Sequence, residues 1–99
     1  MASGDSIFSG SFLGTGALVN VQTCPFKPDK VEIYNEDGLC KGVWQKSMAD
    51  GDVLKTITDG TISMVNDDGI TPLDGGGFSL GADTDLNVDG EKVHFTCHQ

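Results

Sequence analysis

Four groups of residues have the types and spacing to do chemistry. The run Asp85-Leu86-Asn87-Val88-Asp89-Gly90 puts oxygen ligands at alternate positions and glycine at the sixth, as the opening half of an EF-hand calcium loop does. The second half departs from that pattern. Its twelfth position is Thr96 rather than a bidentate Glu, and the flanking segments alternate like strands. Asp85, Asn87 and Asp89 remain as metal candidates, but the favoured reading is an acidic β-hairpin turning at Val88-Asp89-Gly90-Glu91 with no metal. His94 and His98 share a face on a strand, yet lie about 13 Å apart at ~3.3 Å per residue. One ion cannot bridge them, so they read as solvent-facing side chains. Cys24, Cys40 and Cys97 are odd in number and widely spaced, with no CxxC, which removes the usual zinc and dithiol patterns. Reduced, buried thiols are expected, with a Cys24–Cys40 or Cys40–Cys97 bridge as the alternative. Nucleophilic catalysis lacks its pieces: there is no GxSxG, and Gly75-Gly76-Gly77 is not followed by GK[ST]. The carboxylates cluster in glycine-marked turns, where water keeps them ordinary. No catalytic residue and no cofactor is expected, and the chain reads as a non-enzyme.

The elements that must position these groups read as strands. Turn signals recur every eight to twelve residues or so, among them Asp37-Gly38, Asp50-Gly51, Asp59-Gly60, Asp68-Gly69 and Asp89-Gly90. Between them lie short alternating runs at 6–12, 17–23, 30–35, 39–46, 53–58, 61–65, 69–72, 78–81 and 92–98. Val31 and Ile33 point one way and Glu32 and Tyr34 the other; Val93 and Phe95 oppose His94 and Thr96. No long segment has the 3.6-residue period of an amphipathic helix. The prediction is an all-β fold, a small antiparallel β-sandwich of about seven to nine short strands. Phe26, Val31, Ile33, Trp44, Phe78 and Phe95 are its expected core anchors. Trp44, the single tryptophan, reads as core rather than as a ligand platform. Residues 1–5 are small and polar and read as a flexible N-terminal arm; residues 6–99 form the single domain.

Charge bounds the partners. Fifteen acidic residues against six basic ones give a net charge of −9 over 99 residues. Nucleic acid and anionic membrane both call for the opposite sign. The start of the chain has no basic, apolar leader pattern, and no run of roughly 18 apolar residues occurs.

Several segments, in order, carry a likeness. They are Phe26-Lys27-Pro28-Asp29-Lys30-Val31 with Ile33 and Asn35, then Trp44 and Met48-Ala49-Asp50-Gly51. Gly69-Ile70-Thr71-Pro72 and Gly77-Phe78-Ser79-Leu80-Gly81-Ala82-Asp83 follow, and then Leu86-Asn87 and Gly90-Glu91. Over residues 14–97 this order resembles small tailed-bacteriophage virion structural proteins of the capsid decoration and head-fibre type. The resemblance implies a β-sandwich made in the host cytoplasm that docks on the assembled capsid surface as a decoration or cementing protein. It implies the major capsid protein and further copies of the chain, as a homotrimer, for partners. The three cysteines and Cys24-Pro25 depart from the pattern and leave the redox state open. The alternative is a tail-fibre or receptor- or carbohydrate-binding module, calcium-assisted through the acidic loop and using Trp44.

Overall fold

The structure, a computed structural model, describes residues 6–99. The arm expected at 1–5 lies outside the described residues. Eight strands follow one another: β1 (Ile7–Leu13), β2 (Val19–Val21), β3 (Lys30–Asn35), β4 (Cys40–Gln45), β5 (Asp52–Thr56), β6 (Ile62–Pro72), β7 (Phe78–Leu80) and β8 (Lys92–His98). No helix occurs among the described residues. All pairings are antiparallel, in the order β1-β8-β3-β4-β5-β6-β7-β2. The chain is therefore all-β, with a strand number inside the expected range. Where two sheets of a sandwich were expected, hydrogen bonding runs unbroken through one sheet that curls nearly into a barrel.

Period-two alternation explains which residues line the inside. Val31, Ile33 and Asn35 of β3, Cys40 and Trp44 of β4, and Val93, Phe95 and Cys97 of β8 are all buried, while their neighbours Glu32, Tyr34 and Lys41 face outward. Val53, Ile70, Phe78, Leu80 and Leu86 complete the interior. Ring contacts show how far the sheet wraps. Phe95 of β8 and Phe78 of β7 are separated by β3, β4, β5 and β6 in strand order, yet their centroids lie 5.4 Å apart, edge to face. Of the expected anchors, Val31, Ile33, Trp44, Phe78 and Phe95 are buried, and Phe26 is half-buried against the cluster.

The expected segments 61–65 and 69–72 belong to one strand interrupted by a bulge. Val53 pairs with Val65, but its neighbour Asp52 pairs with Ile70, so residues 66–69 project out of the ladder. Gly69 sits so close to Asp52 that a Cβ there would lie 2.5 Å from its carbonyl carbon, and Gly51 beneath the bulge has φ +88°. Backbone bonds from Gly51 N–H to Ile70 O (2.9 Å) and from Gly69 N–H to Gly51 O (2.9 Å) hold the projection in place. The sheet can bend here because no side chain intervenes.

Candidate functional site

The acidic segment 83–91 carries the chain's densest polar network. Asp83 is buried, and its Oδ1 accepts the backbone N–H groups of Asp85 (2.9 Å) and Leu86 (3.0 Å). That closes a tight turn and drives Leu86 into the core. Lys55 reaches over from β5 and donates to Asp83 Oδ2 (3.1 Å) and Asp85 Oδ2 (2.7 Å). Burial opposes the Lys55 charge, but the hydrogen bonds and charges of Asp85 and Asp83 outweigh it and hold its pKa above the ordinary value. The position a cation would take between these carboxylates is thus occupied by an ammonium group of the chain itself.

The three metal candidates do not converge. Asp85 is bound to Lys55. Asn87, 1% exposed, spends its whole side chain on backbone: Oδ1 accepts Thr15 N–H (2.8 Å), and Nδ2 donates to Ala17 O (2.7 Å) and Gly81 O (2.9 Å). Asp89 is exposed at the tip of a turn closed by Glu91 N–H to Val88 O at 3.0 Å. The turn lies where the sequence put it, but the expected hairpin does not form, because residues 81–88 are a pinned loop rather than a strand. No cluster of three metal-ligating side chains occurs among the described residues. A second buried amide, Asn35, works the same way. Its Nδ2 donates to Asp85 O and Glu91 Oε1 (2.9 Å each), and its Oδ1 accepts the N–H groups of Asp37 (3.0 Å) and Gly38 (3.1 Å). Sequence reasoning missed Lys55 and Asn35 as functional members of this loop. Nothing near them in sequence points to partners 28 to 56 residues away.

The outer face of the sheet is where side chains are free to meet a partner. His94 and His98 lie there on β8, hydrogen-bonded to Glu36 and to Glu32 respectively, and Tyr34 stacks on His94 with centroids 6.2 Å apart. A groove of about 310 Å³ runs along this face between Glu32, Tyr34, Lys41, Val43, His94 and Thr96. Cross-strand register continues it into an apolar row: Val43 opposes Leu54, and Leu54 opposes Met64. Leu54, Ile62 and Met64 are all exposed. Trp44 takes no part. It is 3% exposed, and its indole N–H donates to Ala49 O at 3.0 Å.

All three thiols are free and buried. Burial, with Cys24 alongside, pushes the Cys97 thiol up to about 12. The thiol next to Cys97 is therefore Cys24, a neighbour that chain spacing did not suggest; Cys40 instead donates to Gly38 O at 3.2 Å.

No family model matches this chain, and neither a curated protein nor a solved structure matches it.

Proposed function

We propose that the chain is a virion structural protein of a tailed bacteriophage, a decoration or cementing protein that docks on the assembled capsid. The observation that supports docking is the apolar row in which half-buried Val43 adjoins exposed Leu54 and Met64, on the outer face of a domain with net charge −9. Charge alone keeps such a domain soluble, so an exposed row of large apolar side chains marks a contact surface. The likeness at residues 26–35, 69–72 and 77–91 supplies the virion setting. In this reading the row packs on an uncharged area of the shell and the acidic loops face away, where they repel nothing that must approach.

The test adds purified protein back to capsids that lack it and measures co-sedimentation. The double variant Leu54→Lys, Met64→Lys should lose at least about tenfold in affinity, since two hydrophobic contacts become desolvated charges. Its unfolding midpoint should stay close to that of the wild type, because both positions are already exposed. Wild-type protein that binds no shell, or a double variant that binds as well as wild type, would overturn the reading.

A further inference from the structure

The strand β1 reads Ile7-Phe8-Ser9-Gly10-Ser11-Phe12-Leu13 and is nearly palindromic about Gly10. Ile mirrors Leu, Phe mirrors Phe and Ser mirrors Ser. β1 ends the sheet: one edge pairs with β8 without a break from Ile7 to Leu13, and no described strand pairs with the other.

Hydrogen-bond phase decides which groups face that open edge. Gln99 N–H donates to Ser6 O (2.9 Å) and Gly14 N–H to Glu91 O (2.8 Å), one at each end of the ladder. Antiparallel pairs alternate between bonded and non-bonded. Even-numbered residues of β1 therefore bond to β8, and Ile7, Ser9, Ser11 and Leu13 aim their N–H and C=O groups outward. A two-fold axis through Gly10 sets Ile7 against Leu13 and Ser9 against Ser11 of a second copy. These are odd residues facing odd residues, which the phase requires. On the inner face the same axis sets Phe8 against Phe12. Both rings are half-buried and already touch Phe95, at 6.1 and 6.2 Å between centroids. Gly10 meets Gly10 in a non-bonded pair, where backbones approach to about 4.5 Å. β1 also lacks the sequence features that guard an edge. It has no charge, no proline and no bulge, in a chain of net charge −9.

We propose that β1 is a two-fold interface at which two copies of this chain join, antiparallel and centred on Gly10, into one continuous sheet. The proposal does not rest on the virion reading, because it concerns the purified chain alone. Sedimentation equilibrium should give twice the 10.4 kDa of one chain. Ser11→Pro removes an N–H that β8 does not use, so it should leave the strand content intact by circular dichroism and weaken the dimer roughly 100-fold. Register is tested by charge. A Ser9→Lys, Ser11→Lys variant and a Ser9→Glu, Ser11→Glu variant should each be monomeric, and their mixture should restore a one-to-one heterodimer, because residue 9 faces residue 11 across the axis. A monomeric wild type would overturn the proposal. So would a mass of three chains, which matches the trimer implied by the phage likeness. Folded charge variants that do not pair would overturn it as well, even if Ser11→Pro fails to fold.

Discussion

Asn87→Asp keeps the shape of the side chain and separates two accounts of the acidic loop. If residues 85, 87 and 89 formed a calcium site, an added carboxylate would strengthen it. The hydrogen bonds predict the reverse. The amide nitrogen of Asn87 points at two carbonyl oxygens, Ala17 O at 2.7 Å and Gly81 O at 2.9 Å, in a place 1% exposed. A carboxylate oxygen there faces two acceptors, so the new group must hold a proton to fold. Keeping an Asp with an ordinary pKa of ~3.9 protonated at pH 7 costs about 4 kcal/mol. Its single O–H serves one carbonyl, and the other loses a bond worth ~1 kcal/mol. The sum, about 5 kcal/mol, is comparable to the whole stability of many domains, ~5–15 kcal/mol. At ~4–8 °C per kcal/mol the melting temperature should fall by at least about 20 °C. The sign with pH follows from linkage. The folded state raises the pKa of this carboxyl, so its penalty is absent below the unfolded value and grows as pH rises. The gap to wild type should therefore narrow by roughly 2.7 kcal/mol between pH 7 and pH 5. The assay is thermal and urea unfolding of both proteins at the two pH values, with calcium and with chelator. A variant as stable as wild type would refute the argument, as would one stabilised by calcium.

Two further outcomes follow from local geometry. Leu39 is exposed and closes the β3–β4 hairpin at φ +56°. Leu39→Gly relieves ~1–2 kcal/mol of left-handed strain against ~0.5–1 kcal/mol of added backbone entropy, so it should raise stability by about 0.5–1 kcal/mol in urea titrations. An unchanged or lower midpoint would argue against strain at this turn. Burial pushes the Cys97 thiol up to about 12, so the folded state keeps a proton that the unfolded chain releases near 9. Stability from this group is complete below pH 9 and should fall by ~1.4 kcal/mol per pH unit above it. Cys97→Ala should flatten that slope, and native Cys97 should resist iodoacetamide at pH 8 until urea is added.

Alternation made the strands legible. Val31/Ile33 against Glu32/Tyr34 and Val93/Phe95 against His94/Thr96 give β3 and β8 their observed bounds, because both strands have one wet face and one dry one. Turn glycines were located, but their roles were not. Asp37-Gly38 suggests that Gly38 takes the positive φ, whereas Leu39 takes it, since Asn35 caps the two preceding N–H groups. At Asp68-Gly69 the positive φ falls on Asp67, and Gly69 is required by close backbone contact. The bulge at 66–69 made one strand look like two. Two sheets and one curled sheet share the same inward–outward pattern, so periodicity cannot tell them apart; only the unbroken run of strand pairings from β1 to β2 does. The acidic loop misled for a related reason. Its alternating oxygens fit a cation, but the cation is Lys55, delivered by a strand thirty residues earlier.

The same loop explains why the sheet stops short of closing. β1 and β2 are joined by residues 14–18, a length that usually closes a hairpin, and pairing them would seal the barrel. Asn87 instead binds Thr15 N–H and Ala17 O, which ties the connection to the 81–91 segment. Length adds to this. β2 is three residues long, about 10 Å at ~3.3 Å per residue, against seven residues and about 23 Å for β1. β2 could satisfy fewer than half of the outward groups of β1 even if it moved beside it. An edge left open in this way is tolerable in water, because solvent bonds its amides. It becomes a hazard when it is also long and uncharged. Selection against pairing would place a lysine or proline at Ser9 or Ser11, whose amides point outward and whose side chains cost the core nothing. Both positions instead hold small neutral residues that mirror each other about Gly10. These features fit the proposed pairing of β1 with an equal strand, and the bonds of Asn87 hold the 14–18 connection to the 81–91 segment, leaving that edge without a partner among the described strands.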